Sequence, residues 1–447
     1  IDLAMPIEGC GLHVSIHAAG TVISPTDITE FTPIQIDTRE GKVITQYEMN
    51  AVEAAGLVKM DFLGIRNLSI LGDSIHLVKK TKGVEIVLED LPVDDKKTFD
   101  LLAEGRTMGV FQLSSDGMTK YLIELKPTRI EDIMAMVALY RPGPIEFIPE
   151  FIKRKHNPET VDYPHDDLKD ILEKSLGLLI YQDDVMLTAI KLAGYSWLEA
   201  DKFRKAMGKK IPELMVEQKN KFKEGCIKNN IDKKLVDDLW RRIEPFATYA
   251  FNKAHAASYG MVAYQTAYMK ANFPSEYMSS LMTAESGDLE KIAFAVGECE
   301  DMGIEVLPPD INESLKNFTY MSDEQIRFGL LVIKNLGSEV IESIISERKA
   351  NGEFKDLADF AGRVTHRAFN KKSLEALIKV GALDRFGERK RLLENMDRIL
   401  LYNKNLQRER ALNQQSLFSL DPSGSHKTIS LREAPPGTLR ELLSWEK

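Results

Sequence analysis

The feature that most narrows what this chain can fold into is a change of hydrophobic period between residues 66 and 69. Before it, the runs HVSIHAAGTVIS, TPIQI, KVITQYEM and GLVKMDFLG alternate in the strand manner, separated by Pro, Gly and Asp turns. After it, from Ser69 to about Lys316, apolar residues recur at helical spacing, as in IEDIMAMVALY, LEADKFRKAMG, KKLVDDLWRRIEPF and YGMVAYQTAYMKANF. Prolines at 142, 144, 149, 164, 212, 245 and 274 punctuate that helical stretch. Residues 327–388 carry two related units, FGLLVIKNLGSEVIESIISERK and LEALIKVGALDRFGERKRLLENM. Beyond Leu406 the chain turns polar and then Pro/Gly/Ser-rich, the composition of a linker. A β-rich piece, a large helical body, a paired small helical module and a tail are therefore expected.

The length of 447 residues suffices for two to four domains with proper cores. No apolar run approaches the roughly 18–20 residues of a membrane span, and the N-terminus lacks a basic-then-apolar signal. The opening IDLAMPIEGCGLHVSIHAAG has no initiator Met and reads as the middle of a domain, so a fragment is expected. Cys10, Cys226 and Cys299 lie far apart with no CxxC pair. That argues against structural zinc or a disulfide framework and suits a reducing cytoplasm. The net charge of −9 identifies no partner, but residues 201–228 carry nine Lys/Arg against four Asp/Glu. Such a run is either a solvated basic helix or a phosphate-facing surface.

Two acidic stretches compete for attention. GLLIYQDDVM (177–186) has the Tyr-x-Asp-Asp look of a metal-binding hairpin. A hairpin, however, needs a second strand directly after the carboxylates. Here Val185, Ala189, Ile190 and Ala193 are spaced for one helix face, and Gly194 is a natural stop. Asp183 or Asp184 is expected to cap a helix. In GLVKMDFLG (56–64), strand alternation sends Val58, Met60 and Phe62 one way and sets Lys59 and Asp61 side by side on the other face. The apolar three are expected to pack inward. An acid and a lysine projecting together suit metal and phosphate work, although a surface ion pair would look the same over nine residues.

Longer motifs separate these readings. HAAGTVIS (17–24), GLVKMDFLG, MGVFQLSSDGM (108–118), ALYRPGP (138–144), GLLIYQDDVM, KFRKAMGKK (202–210), FNKAHAASYGMVAYQTAYMKANFP (251–274) and LPPDIN (307–312) occur in order. Together they strongly resemble the catalytic alpha subunit of bacterial DNA polymerase III, the family C replicative polymerases, from about residue 12 to 420. The resemblance implies an α+β, mostly α chain. It would hold the end of a thumb (1–16), the C-terminal part of a polymerase-beta-type nucleotidyltransferase palm (17–66), large all-α fingers (67–326), a tandem helix-hairpin-helix module (327–406) and a linker with a clamp-binding motif (407–447).

Residue roles follow by position. Asp61 resembles the third catalytic and metal-binding aspartate of the palm, with Lys59 beside it. The family's other two aspartates form an Asp-x-Asp motif, and none occurs in this sequence. Two Mg²⁺ ions about 4 Å apart need several carboxylates. The chain alone is therefore expected not to extend a primer. KFRKAMGKK is read as grouping Arg204, Lys205, Lys209 and Lys210 around a Gly turn; the spacing is not that of a P-loop. With Tyr249, Asn252, Lys253 and His255 these are assigned to the incoming dNTP. The RPGP loop is rigid and Arg141 is a weaker candidate for a phosphate contact.

VIKNLGSEVIESI reads as a helix-hairpin-helix closed by Ile333 and Leu336, and LIKVGALDRFG as a second copy. Lys334, Gly337, Lys379 and Gly381 are expected to meet primer-template DNA through phosphates, without reading sequence. Gln414, Gln415, Ser416, Leu417 and Phe418 have the form of a peptide that docks apolar anchors into the sliding clamp, the beta subunit. Other replicase subunits are implied partners, and no membrane. Two rivals stay open: a non-catalytic DNA-binding, clamp-tethering protein and an error-prone paralogue of the same family.

Overall fold

The computed structural model describes residues 5–7, 15–38, 41–209, 212–246, 250–411 and 428–445. The chain divides into two compact units, Ile1–Arg66 and Asn67–Lys447.

In the first unit, β1 (Gly20–Ile23) pairs antiparallel with β4 (Val58–Asp61), setting Gly20 opposite Asp61 and Ile23 opposite Val58. A second ribbon joins β2 (Ile34–Ile36) to β3 (Val43–Thr45). Between the ribbons in sequence lies α1 (Met49–Ala54), which packs against β4. Its N-cap is Glu48, whose carboxylate accepts the Asn50 and Ala51 amides at 2.9 and 2.8 Å. Val52 and Leu57 are buried. The inward packing expected of the β4 apolar face is not observed: Val58, Met60 and Phe62 are 57%, 46% and 64% exposed. The alternation was read correctly but its burial was not. A strand paired with one neighbour buries a face only where a second layer covers it, and at this end burial stops at Leu57, just before β4.

The second unit is mostly helical. Its first part runs through α2 (Arg66–Lys82), α3 (Lys96–Ala103), α4 (Asp116–Leu125), α5 (Ile130–Leu139), α6 (Ile148–His156) and α7 (Lys169–Leu172). There follow α8 (Gln182–Ala193), α9 (Trp197–Lys209), α10 (Pro212–Lys228), α11 (Lys233–Phe246), α12 (Lys253–Asn272), α13 (Pro274–Ala284) and α14 (Leu289–Asp301). In α11 the residues at i, i+3, i+4 and i+7, Val236, Leu239, Trp240 and Ile243, form the buried stripe that its spacing calls for. Trp240 stacks on Phe203 of α9, centroids 5.8 Å apart, and meets Phe222 of α10 at 5.7 Å. The long α12 is buried on several sides, because Ala256, Gly260, Ala263 and Ala267 let neighbours approach closely. Near its end the Lys270 side chain, 0% exposed, bonds Glu298 at 2.5 Å and the Arg106 and Met108 carbonyls at 2.9 and 2.8 Å.

The acidic pair of GLLIYQDDVM is structural, as its spacing indicated. Asp184, in the first turn of α8, reaches back to accept the Ile180 and Tyr181 amides at 3.0 and 2.9 Å. Asp183 accepts the Lys253 amide at 3.3 Å and so helps to hold the start of α12. Gly194, at φ 70°, ends α8 in the left-handed conformation.

After α14 the chain forms a small sheet that helical spacing had not foreshadowed. β5 (Glu305–Leu307) runs parallel to β7 (Gln325–Arg327), which pairs antiparallel with β6 (Thr319–Ser322). Strands of three or four residues are too short to display a period. A single 3₁₀ turn (Leu330–Val332) leads into the first hairpin, so only its second helix, α15 (Ser338–Asn351), is α-helical. Ile333 and Leu336 are buried and close the turn as expected, and Asn335 takes the positive φ of 69°. α16 (Leu357–Arg363), α17 (Lys371–Lys379), α18 (Arg389–Glu394) and α19 (Met396–Ala411) complete the module around Phe354, Phe360 and Phe369.

The linker read beyond Leu406 is partly replaced by ordered structure. α19 continues to Ala411, and residues 428–445 lie along the module. Asn395 donates to the Arg432 carbonyl at 3.0 Å and accepts the Arg432 amide at 2.8 Å. Ile429 and Leu431 pack on its core, and the segment ends in α20 (Leu439–Trp445). These are contacts between residues 37 apart, which composition does not reveal.

Candidate functional site

The register of β1 with β4 decides the geometry around Asp61. With Gly20 opposite Asp61 and Val22 opposite Lys59, the two polar side chains of β4 meet on the β1 side, Lys59 Nζ 2.5 Å from Asp61 Oδ1. His17, just before β1, brings Nδ1 to 3.3 Å from the same oxygen. A Cβ on Gly20 would stand 2.9 Å from His17 Nδ1 and 3.0 Å from Lys59 Cε, so a side chain there would push the imidazole and the lysine stem aside. The Lys59 hydrogen bond holds the Asp61 carboxyl below the usual carboxylate range. Asp61 is half-exposed while Lys59 is mostly covered. The carboxylate therefore keeps its anionic form and an open side. His17 belongs to this group and was missed by spacing arguments; the glycine three residues after it was the available signal.

The residues assigned to the nucleotide fall into separate settings. Arg204 and Lys205 both pair with Asp201 one turn earlier on α9, at 2.9 Å each. Lys205, then Arg204, depress the Asp201 carboxyl. The Gly turn expected in KFRKAMGKK is absent: Gly208 lies inside α9, which runs to Lys209. Glycine costs a helix interior only about 1 kcal/mol, less than a well-packed face returns. Lys210 and Tyr249 lie outside the described residues. Asn252, Lys253 and His255 come together at the start of α12. Asn252 is its N-cap, accepting the His255 amide at 2.9 Å. The Lys253 ammonium lies 5.5 Å from the Tyr181 ring centre.

His255 is exposed and belongs to a ladder of rings. Phe251 meets it edge-on at 5.3 Å, Tyr259 packs on it at 4.0 Å, and Phe111 follows Tyr259 at 5.2 Å. Arg141 ends the ladder, its guanidinium 4.3 Å from the Phe251 centre while Nε donates to the Ala138 carbonyl at 3.0 Å. His255 and Tyr259 stand one turn apart on α12, a spacing visible in the sequence, while Phe251 joins them from the segment before the helix. An exposed imidazole backed by aromatic faces can stack on a planar base, and the nearby Lys253 can meet a phosphate.

In the paired module, Lys334 of the first turn and Lys379 at the end of α17 line one cavity of about 510 Å³. Gly337 is exposed and an added Cβ would meet nothing. Gly381, at φ 80°, is closely approached: a Cβ there would stand 2.2 Å from Arg389 Nη2. Gln414, Ser416, Leu417 and Phe418 lie outside the described residues.

Among the described residues no three His, Cys, Asp or Glu side chains gather as metal ligands. Asp61 offers one carboxylate, already shared with Lys59. That does not fit a two-ion site by itself.

Three family models match the chain. Residues 1–64 match the bacterial DNA polymerase III alpha NTPase domain, 67–230 the bacterial DNA polymerase III alpha subunit finger domain, and 303–393 a helix-hairpin-helix motif. Similar curated proteins include the DNA polymerase III subunit alpha of Thermus aquaticus, 46% identical over 90% of this chain and 33% of the relative. That of Borreliella burgdorferi is 40% identical over 100% and 39%, and that of Aquifex aeolicus 44% over 88% and 34%. The chain thus spans little more than a third of the length of the curated relatives it matches.

Proposed function

This chain belongs to the bacterial DNA polymerase III alpha subunit family, and on that premise we propose that it serves template-directed DNA synthesis, the transfer of a nucleotidyl group from a dNTP to a primer 3′ end. Within that reading residues 17–66 are the C-terminal part of the palm, 67–326 the fingers, 327–406 the tandem hairpin module and 407–447 the clamp-linked tail. The observation that carries it is the corner in which Lys59 and His17 converge on the half-exposed Asp61 carboxylate.

Each group has a task in this proposal. Lys59, held by Asp61, is oriented to neutralise a phosphate oxygen near the reacting centre. Asp61 would be one ligand of the divalent ions, Mg²⁺ in this proposal, which would need further carboxylates from beyond the described residues. Lys253 and His255 receive the triphosphate and base of the incoming nucleotide. Arg204 and Lys205 are less available, since each must leave Asp201 to reach a phosphate. The hairpins hold duplex DNA by its phosphates, and the peptide around Leu417 and Phe418 docks on the sliding clamp. No helix among the described residues is long and apolar enough to cross a membrane; action in the cytoplasm belongs to the proposal.

Primer extension by the complete polymerase polypeptide tests the reading. Asp61→Asn should lower the rate by at least about 10²–10³-fold, the scale for removing one hydrogen-bond donor that stabilises transition-state charge. DNA binding should change little. An extension rate near wild type would overturn the reading and favour a DNA-binding tether without chemistry of its own.

A further inference from the structure

The cavity between the two hairpin turns holds more chemistry than the four residues assigned to DNA. Besides Lys334, Asn335 and Lys379, its lining includes Lys372, Glu375 and Trp445. Lys334 and Lys372 are exposed, and neither side chain has an ion-pair partner among the described residues. Lys379 differs, because Glu375 one turn earlier on α17 holds its ammonium at 2.6 Å. Trp445 comes from α20, far along the chain, and its presence has a visible cause. Lys390 binds Glu441 of α20 at 2.9 Å, and the Gly437 amide donates to Glu388 at 2.8 Å. Gly437 also lies against the indole, where a Cβ would stand 3.4 Å from Cη2. The docked segment thus seats an aromatic wall beside three lysines.

An opening of about 510 Å³ lined by three lysines and an indole matches a backbone that alternates anionic phosphate with apolar sugar. We infer that this cavity is a phosphodiester-binding notch in which Lys372 joins Lys334 and Lys379, Trp445 packs against the sugar face, and Glu375 holds Lys379 in check until a phosphate displaces it. The inference rests on the duplex-binding reading of the module and adds to it a third cation, an aromatic wall and an internal competitor.

Fluorescence anisotropy of the chain with a labelled duplex, titrated across salt concentrations, tests it. Lys372→Ala should reduce the slope of log affinity against log salt by about one, as expected for one lost phosphate contact. Trp445→Ala should weaken binding at every salt concentration with the slope unchanged. Glu375→Gln should tighten binding about two- to fivefold, the scale of one exposed ion pair. A gain of affinity does not arise from misfolding. If Lys334→Ala and Lys379→Ala reduce the slope while Lys372→Ala and Glu375→Gln match wild type, this inference fails and the duplex reading stands. If all four match wild type, both fail.

Discussion

The ribbon carrying Asp61 and the paired-hairpin module reach local order by opposite means. In residues 15–66 Val52 and Leu57 are the buried hydrophobics among the described residues, while Ile36, Phe62 and Leu63 are 67%, 64% and 76% exposed. Its precision comes from β-ladder register, Glu48 capping α1 and one ion pair. The module instead closes over a continuous core, with Phe360 in edge contact with Phe354 and Phe369 at 5.3 and 5.7 Å. The comparison teaches that a polar corner can be specified by ladder register, a cap and an ion pair with little buried apolar area, whereas the module's shape rests on packed apolar volume.

The comparison can be broken at its strongest point first. Phe360→Ala should destabilise the module by about 3–5 kcal/mol, the scale for emptying a buried phenyl site, seen as a lower urea midpoint. A loss below about 1 kcal/mol would mean that the aromatic core is not what holds it. The helical body between the two regions offers an intermediate effect. Burial pushes the Asp184 carboxyl up to about 6 from its ordinary 3.8. Between those values the folded state holds a proton that the unfolded chain has released. The Asp184 contribution to stability is therefore fullest below about pH 4 and is lost as pH rises through about 6. Asp184→Asn should flatten that slope in thermal melts taken across the range; an unchanged slope would assign the titration elsewhere. The smallest effect is expected in the ribbon. Phe62→Ser should shift stability by no more than about 0.5 kcal/mol, as for other exposed positions. A shift of 2 kcal/mol would show that this face is covered in solution.

The two regions were also unequally legible in the sequence. Alternation in GLVKMDFLG placed Lys59 and Asp61 on one face, and the spacing after Asp184 excluded a carboxylate hairpin; both are short-range matters that the structure bears out. Burial of Val58 was misread because coverage depends on distant elements. Gly208 was misread because a glycine signals a turn only where packing does not overrule it. His17 and the Arg141–Phe251 contact escaped notice since ladder register and loop approach bring them to their partners. Trp445 reaches its cavity through Glu388, Asn395 and Lys390, three tethers that no local pattern announces.

Lys270 has a consequence for how the helical body gives way. Its ammonium is surrounded by a carboxylate of α14 and two carbonyls of the 106–108 turn, and parting it from Glu298 would leave a fully buried ammonium without its counter-charge. The amine works as a rivet through three layers. Under heat or mechanical load that quarter should open as one piece rather than peel away helix by helix.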